Sequence, residues 1–451
     1  MTDLTDRSAS EIVDLVHKRQ VSAEEVLRAH VAKFESSNPK INAIVSTCFD
    51  RALVEARSLD SLASDALKQK PLAGLPYAVK DTIDAEGLPT TYGSRLFTDN
   101  YPANDAVHVA RARQAGAIVI GKSNTPAFAS GAQTNNDLFG LTRNPLDTRL
   151  TVTGSSGGAA AALAARMVPM ADGSDLGGSL RTPASVCGVV GFRPTAGVVP
   201  RANNPIPYDA LHVYGPMARS VEDIALFMSV FSGPDDACPL SIIAKKLDLK
   251  ALSNGNVGSA RIAWSSRPCG ANVHPEVEHT VNLCRRDFES LGYIVEDACP
   301  DIHQNHEAHQ VLVALNAVSE LGQYFDDDRF VPNQRLRRFI ERGQRLTGDE
   351  VGRARRIQAD CWRTMEKFFN RFDFLVWPSI SGLPYDAILT ESEVDEDWKP
   401  VELTPSLNLP AISLPCGTST SGTPVGLQII GSPGSDAELL NISNNIHIVI
   451  S

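Results

Sequence analysis

Residues 153–183, TGSSGGAAAALAARMVPMADGSDLGGSLRTP, constrain this chain more than any other stretch. Two glycine–serine clusters, GSSGG at 154–158 and GGS at 177–179, bracket an alanine-rich segment that reads as a short helix followed by a strand. Glycine lets backbone approach a ligand closely and adopt conformations other residues resist. Serine supplies a hydroxyl that becomes a nucleophile once a base removes its proton. A fold built on this stretch brings the two clusters together as walls of one small cavity. The stretch lacks a base, which must come from elsewhere in the chain.

Short apolar strands and helices alternate through the rest. Helical patterns cover 8–36 as two helices, then 49–65, 106–116, 156–165 and a run starting at Ser220. Ser22 with Glu25 has the spacing of a capping box. Strand patterns fall at 77–81, 117–120, 167–171, 186–190, 261–264, 374–377, 411–414 and 426–430. This alternation predicts an α/β fold around a mixed, largely buried sheet. The 125–155 region is polar and loop-rich, and a loop that long in a compact domain usually carries function. Residues 235–371 change character, with long charged helices, and read as a variable, substrate-shaping segment.

The formal charge is −11, which argues against a nucleic-acid surface or an anionic membrane as partner. No apolar run approaches the ~18 residues of a membrane span. The polar N-terminus shows no signal-peptide pattern. Eight scattered cysteines without a CxxC pair predict reduced thiols in a cytoplasmic protein.

Two motif matches mislead. Residues 116–123, GAIVIGKS, satisfy GxxxxGK[ST], but the middle residues form a strand whose N–H groups belong to a sheet rather than to a phosphate. Residues 154–158 satisfy GxSxG, yet the preceding segment is too polar for the buried strand of a nucleophile elbow. His303, His306 and His309 share a helical face, but no carboxylate pattern supports a metal there, so a solvated face is expected. The other histidines lie in undistinguished contexts. A serine hydrolase without histidine needs another base, and a lysine serves when burial lowers its pKa. Lys80, at the end of the apolar run GLPYAVKD, is the candidate.

GLPYAVKD, GKSNTPAF, TNNDLFGLTRNP, GSSGGAAAALAA, GSDLGGSLRTPASVCGVVGFRPT, GPMARSVEDIALF and TPVGLQIIG occur in that order. Together they resemble the amidase signature family of serine hydrolases, over roughly 70–431 outside the variable segment. The resemblance implies one domain over 1–451, with a central mixed sheet flanked by helices on both faces. Residues 70–234 and 372–431 would form its core and 1–69 its N-terminal helices. It also implies a Ser–cis-Ser–Lys triad with Ser179 as nucleophile, Ser155 as bridging serine after a cis peptide bond, and Lys80 as base. The backbone N–H groups of Leu176, Gly177, Gly178 and Ser179 would stabilise the oxyanion. Ser156 and Ser174 would give hydrogen-bonding support, and Asp175 would orient the polar network.

The activity so implied is hydrolysis of amide C–N bonds through an acyl-enzyme, with esters or carbamates as further substrates. It requires no metal and no organic cofactor. The alternative within the family is a glutamine-hydrolysing amidotransferase subunit that needs a partner chain. The stand-alone reading implies a small-molecule amide substrate and a monomer or homodimer. Gln133, Phe139, Tyr208 and Trp377 are expected to line the substrate pocket. Thr153 departs from the family pattern, which commonly has glycine there. Leu176 departs too, at a position often taken by Thr, Ile or Met.

Overall fold

Alternation along the apolar strands decides which side chains meet which layer. The computed structural model describes residues 3–202, 204–242, 244, 246–247, 259–389 and 399–450. Its strands are β1 (Ile44–Thr47), β2 (Pro76–Lys80), β3 (Ile118–Ser123), β4 (Met170–Asp175), β5 (Val190–Arg193), β6 (Val213–Ala218), β7 (Arg261–Trp264), β8 (Ile294–Asp297), β9 (Phe374–Pro378), β10 (Ala411–Thr418) and β11 (Pro424–Ile430). They form one 11-stranded mixed sheet in the order β1-β3-β2-β4-β6-β5-β10-β11-β9-β7-β8. The pairs β2–β3, β2–β4, β7–β8 and β7–β9 are parallel, and the others antiparallel.

The helices are α1 (Ala9–His17), α2 (Ala23–Ile41), α3 (Phe49–Asp60), α4 (Ser64–Lys68), α5 (Val107–Gln114), α6 (Gly157–Ala164), α7 (Arg181–Cys187), α8 (Val221–Phe231), α9 (Pro275–Leu283), α10 (Arg285–Ser290), α11 (Asn305–Leu321), α12 (Gln334–Arg345), α13 (Gly348–Phe369), α14 (Lys399–Glu402) and α15 (Asp436–Ile450). Tyr77, Val79, Val119, Met170, Ile262, Val376, Leu427 and Ile429 face one continuous core, shared with α1, α5, α8, α9 and α15. Their strand neighbours face the other way. Ala78, Ile118, Ile120 and Ala171 pack with α2, α3, α6 and α7, whereas Ala263, Leu375, Trp377 and Ala411 pack with α13. Two-residue alternation therefore places helices on both faces of the sheet.

Several helices start where local chemistry dictates. Ser8 with Glu11, Ser22 with Glu25 and Thr347 with Glu350 form reciprocal capping boxes. The structure differs from the sequence expectation at 186–190. Val186 belongs to α7, and β5 begins only at Val190. Every residue of α7 is buried, so no amphipathic period marks it. Its signals were the Pro183 of its first turn and Gly188, whose φ of 66° ends it. The 49–65 helix is interrupted, with α4 starting anew at Ser64.

In the GKS stretch, β3 is fully buried. Lys122 donates to the Ile83 carbonyl and, at 3.1 Å, to Thr90 Oγ1, so it is an internal strut.

The alanine-rich α6 packs at backbone distance. A β-carbon at Gly158 would lie 2.3 Å from the Asn124 amide nitrogen and 2.6 Å from its carbonyl oxygen. Backbone cannot rotate away as a side chain can. Gly158→Ala is expected to destabilise the protein by about 1–3 kcal/mol, read as a lower urea midpoint; an unchanged midpoint would refute this packing.

Candidate active site

Lys80 ends β2 and is fully buried. Its Nζ lies 2.7 Å from Ser155 Oγ, 2.9 Å from Ser174 Oγ and 3.1 Å from Ser156 Oγ. Three hydroxyl partners suit an ammonium, which donates three times. They equally suit a neutral amine, which donates twice and accepts once through its lone pair. Among the described residues no carboxylate forms an ion pair with Nζ. Burial lowers the Lys80 pKa from 10.5 to about 7, and the charges of Asp172 and Asp175 oppose the shift without cancelling it. Asp172 is occupied elsewhere. It accepts from the Lys80 backbone N–H at 2.7 Å, from His108 Nε2 at 2.9 Å and from the Tyr77 hydroxyl. It thereby fixes the end of β2 from below.

Ser155 follows a cis peptide bond from Gly154 and is 1 % exposed. The Gly154 carbonyl accepts from Thr182 Oγ1 at 2.8 Å, tying this turn to α7. Ser156 donates its backbone N–H to the Ser179 carbonyl at 3.1 Å, which ties the two glycine–serine clusters together. Thr153 adopts a φ of 56°, the left-handed region that glycine enters freely and a β-branched residue resists. The chain thus keeps a glycine-like backbone at this departure from the family pattern. Ser179 is half-buried and, with Ser155 and Ser174, lines an open cleft.

Asp175 builds the turn that presents Ser179. It is fully buried, and Arg181 binds it through Nε at 3.0 Å and Nη2 at 2.9 Å. Arg193 Nη1 donates to its carbonyl at 2.6 Å and approaches Oδ1 at 3.3 Å. Burial alone would raise the carboxyl pKa, but the two guanidinium groups win and hold it well below the ordinary carboxylate value. The carboxylate also accepts the N–H of Gly178 at 2.9 Å and of Leu180 at 3.2 Å. This corrects one expectation, since the Gly178 N–H is committed to Asp175 rather than free for an oxyanion. Leu176, Gly177 and Ser179 have no protein acceptor for their N–H groups among the described residues. Gly178 itself has a φ of 105°, and a β-carbon there would lie 2.6 Å from the Val401 side chain.

The expected pocket lining is also corrected. Trp377 is fully buried in β9 and packs in the core beside Leu375 and Met365. Tyr208 is 76 % exposed on the surface. Gln133 is buried and donates to the Ala387 carbonyl, and Phe139 is held by backbone bonds to Asn136 and Asn42. None of the four lines the cleft. Its walls come from residues 128–132, the 174–179 turn, His212, and one face each of α11 and α12.

The reading of the histidine series also needs revision. His303 is exposed and pairs with Asp301 at 2.6 Å, while His306 pairs with Glu402 at 3.0 Å. His309 is buried in the cleft wall beside Gly177, and burial lowers its pKa to about 4. No group of three potential metal ligands occurs among the described residues.

Sequence reasoning missed Asp172, Arg181, Arg193, Glu320, Arg335 and Glu402. Arg181 and Arg193 carried a signal, because each interrupts an apolar, small-residue run. The cleft residues of α11 and α12 carried none, since they sit in ordinary amphipathic helices.

A family model for amidases matches residues 25–440. An acylamidase from Rhodococcus erythropolis is 35% identical over 457 residues, covering 98% of this chain and 95% of that protein. A glutamyl-tRNA(Gln) amidotransferase subunit from Nitratidesulfovibrio vulgaris is 34% identical over 480 residues, covering 98% and 97%. The crystal structure of a bacterial aryl acylamidase of the amidase signature family superposes with a TM-score of 0.89 at 28% identity, covering 98% of this chain and 96% of that one. A single α/β domain with a large mixed sheet, and a sequence match over nearly its whole length, identify the chain as a member of the amidase signature family, hydrolases of amide C–N bonds.

Proposed function

We propose that Ser179 is the nucleophile of this amidase, Ser155 its proton relay and Lys80 its base. The observation that carries this reading is the buried Lys80 Nζ, held by hydroxyl groups alone, with Ser155 closest at 2.7 Å. Exposure rises in the order that a relay needs, from buried Lys80 and Ser155 to half-buried Ser179 in the cleft. A lysine pKa of about 7 leaves much of the amine neutral near neutral pH.

In the first step the Lys80 lone pair takes the Ser155 proton while Ser155 takes that of Ser179. Ser179 Oγ bonds to the substrate carbonyl carbon, and the carbonyl π pair moves to oxygen. The N–H groups of Leu176, Gly177 and Ser179 are the donors available to that oxyanion. Collapse breaks the C–N bond, and the proton returns from Lys80 through Ser155 to the leaving nitrogen. Water then repeats the sequence on the acyl-enzyme and releases the acid. The same route accepts aryl esters and carbamates, whose leaving groups depart more readily. Ser156 and Ser174 hold Nζ in place, and Asp175 holds the turn.

No described helix is long and apolar enough to cross a membrane. The eight free cysteines support a reducing, cytoplasmic setting. The proposed working unit is a monomer or homodimer acting on a small-molecule amide.

The test is fluorophosphonate labelling with peptide mapping, beside a turnover panel of anilides, aliphatic amides, aryl carbamates, aryl esters and glutamine. The label is expected on Ser179; a label on Ser156 would overturn the assignment. The likeness to the amidotransferase chain supports a second reading, glutamine hydrolysis coupled to a partner chain. Turnover of simple anilides by the isolated protein favours the first reading. Hydrolysis confined to glutamine and dependent on a partner favours the second.

A further inference from the structure

The charges lining the cleft do not balance, and the imbalance points to a substrate class. Arg335 donates from Nη2 to Glu402 Oε1 at 3.0 Å, and Glu402 also receives Gln310 Nε2 at 2.9 Å and His306 Nδ1 at 3.0 Å. Its positive charge is therefore answered inside the protein. Arg201, next to the cleft, is answered by Asp209 at 3.6 Å and by the His212 carbonyl at 2.7 Å. Burial keeps the imidazoles of His212 and His309 below their ordinary pKa, so both are neutral at pH 7.

Glu320 is different. It lines the cleft from α11 and has no hydrogen bond or ion pair among the described residues. One turn earlier, Asn316 also lines the cleft, and its buried Nδ2 has no partner among the described residues. Around both, the walls are apolar, with Val313, Ala317, Leu321, Leu336 and Phe339. Burial raises the Glu320 pKa, and Arg201 only partly offsets it. An unanswered carboxylate in such walls is costly unless a ligand supplies the counter-charge. His309, beside the Gly177 turn, lies eleven residues before Glu320, about 16 Å along the helix axis.

We infer that the cleft takes amides carrying a protonated amine remote from the scissile bond, and that Glu320 recognises that amine. Asn316 Nδ2 is placed to donate to a second polar atom of the same chain. The inference rests on the amide-hydrolysing reading of this cleft.

Two matched series test it. One is 4-nitroanilides of ω-amino acids of four to eight carbons against the alkyl acids of equal length. The other is hexanamides of 4-(aminomethyl)aniline against those of 4-ethylaniline. In at least one series the cationic member is expected to have a kcat/KM roughly 10- to 100-fold higher than its neutral match. In Glu320→Gln that ratio is expected to fall to near one. A ratio compares two substrates on one protein, so general effects of the substitution cancel. Equal or reversed preference in the wild type overturns the inference, as does a preference that survives Glu320→Gln.

Calorimetric binding of hexylammonium against hexan-1-ol to the wild type reads the same question if the variant does not fold. Tighter binding of the cation supports it, and equal binding overturns it. Turnover of neutral anilides without any cationic preference removes the Glu320 inference alone. A protein that hydrolyses no amide and leaves Ser179 unlabelled removes the underlying reading instead, and calorimetry then still decides whether the cleft selects cations.

Discussion

Lys80→Met is expected to lower kcat/KM for an anilide by roughly 10³-fold or more, above the middle of the range for losing a positioned general base. The loss should appear in kcat rather than KM, because among the described residues the Lys80 amine bonds only the three serines, and Lys80 does not line the cleft. Methionine matches the length of lysine and suits a buried site, but it cannot take a proton. Ser179→Ala should fall at least as far, and the double variant little further, because members of one proton relay act as a unit. Retention of more than about a tenth of wild-type turnover in Lys80→Met would sink the assignment of the base.

The same lysine sets two pH profiles. On the proposed mechanism the active form has a neutral Lys80, so kcat/KM should rise with pH through about 7 and level off above it. Stability follows from the same shift. The folded pKa lies below the unfolded value of 10.5, so between about 7 and 10.5 the unfolded chain binds more protons. From this group alone, stability rises with pH across that window and is flat below it. Lys80→Met should lose that rise, seen as urea midpoints that climb less from pH 7 to 10 than those of the wild type. The rise is a measure of what a buried lysine costs the fold at neutral pH, a penalty that chemistry rather than packing explains.

The sequence carried the sheet and the triad candidates for different reasons. Short apolar runs at 77–81, 117–120 and 426–430 are a local signal; the last lies inside an observed strand, and the first two each overrun theirs by one residue. The site was legible because glycine and serine cluster where backbone must come close, as at Gly158 against Asn124. By contrast α7 is buried all round, so periodicity had nothing to read. The cleft walls were illegible for a further reason. His309, Asn316 and Glu320 lie on an amphipathic helix, and only its docking over the 174–179 turn makes them cleft residues. Trp377 shows the converse error, since a large aromatic in an apolar run marks core first and pocket second. Asp175 was expected to orient the network. No spacing rule could reveal that it also takes the Gly178 N–H, because that depends on the turn geometry itself.

Asp175→Asn is expected to be the most destabilising of the isosteric changes near the site, by about 3–5 kcal/mol. It leaves two buried guanidinium groups facing a neutral amide. Arg181 retains Thr404 Oγ1, Gln428 Oε1 and the Val401 carbonyl, and Arg193 retains the Leu211 carbonyl, but none of these carries charge. The carboxylate is ionised from the ordinary carboxylate range upward, because its folded pKa is depressed. Its contribution to stability is thus present at pH 5 to 8 and lost only as pH falls through the folded value, so the deficit of the variant should be constant over pH 5 to 8. Arg181→Met in the Asp175→Asn background should recover part of the loss, because one uncompensated cation goes with it. A second readout separates the turn from global stability. At a temperature where circular dichroism shows Asp175→Asn folded, fluorophosphonate labelling of Ser179 should still slow, because the Gly178 and Leu180 N–H groups no longer meet two carboxylate oxygens. If labelling keeps its wild-type rate while the urea midpoint falls, Asp175 serves the fold and the 176–179 turn holds its shape without it.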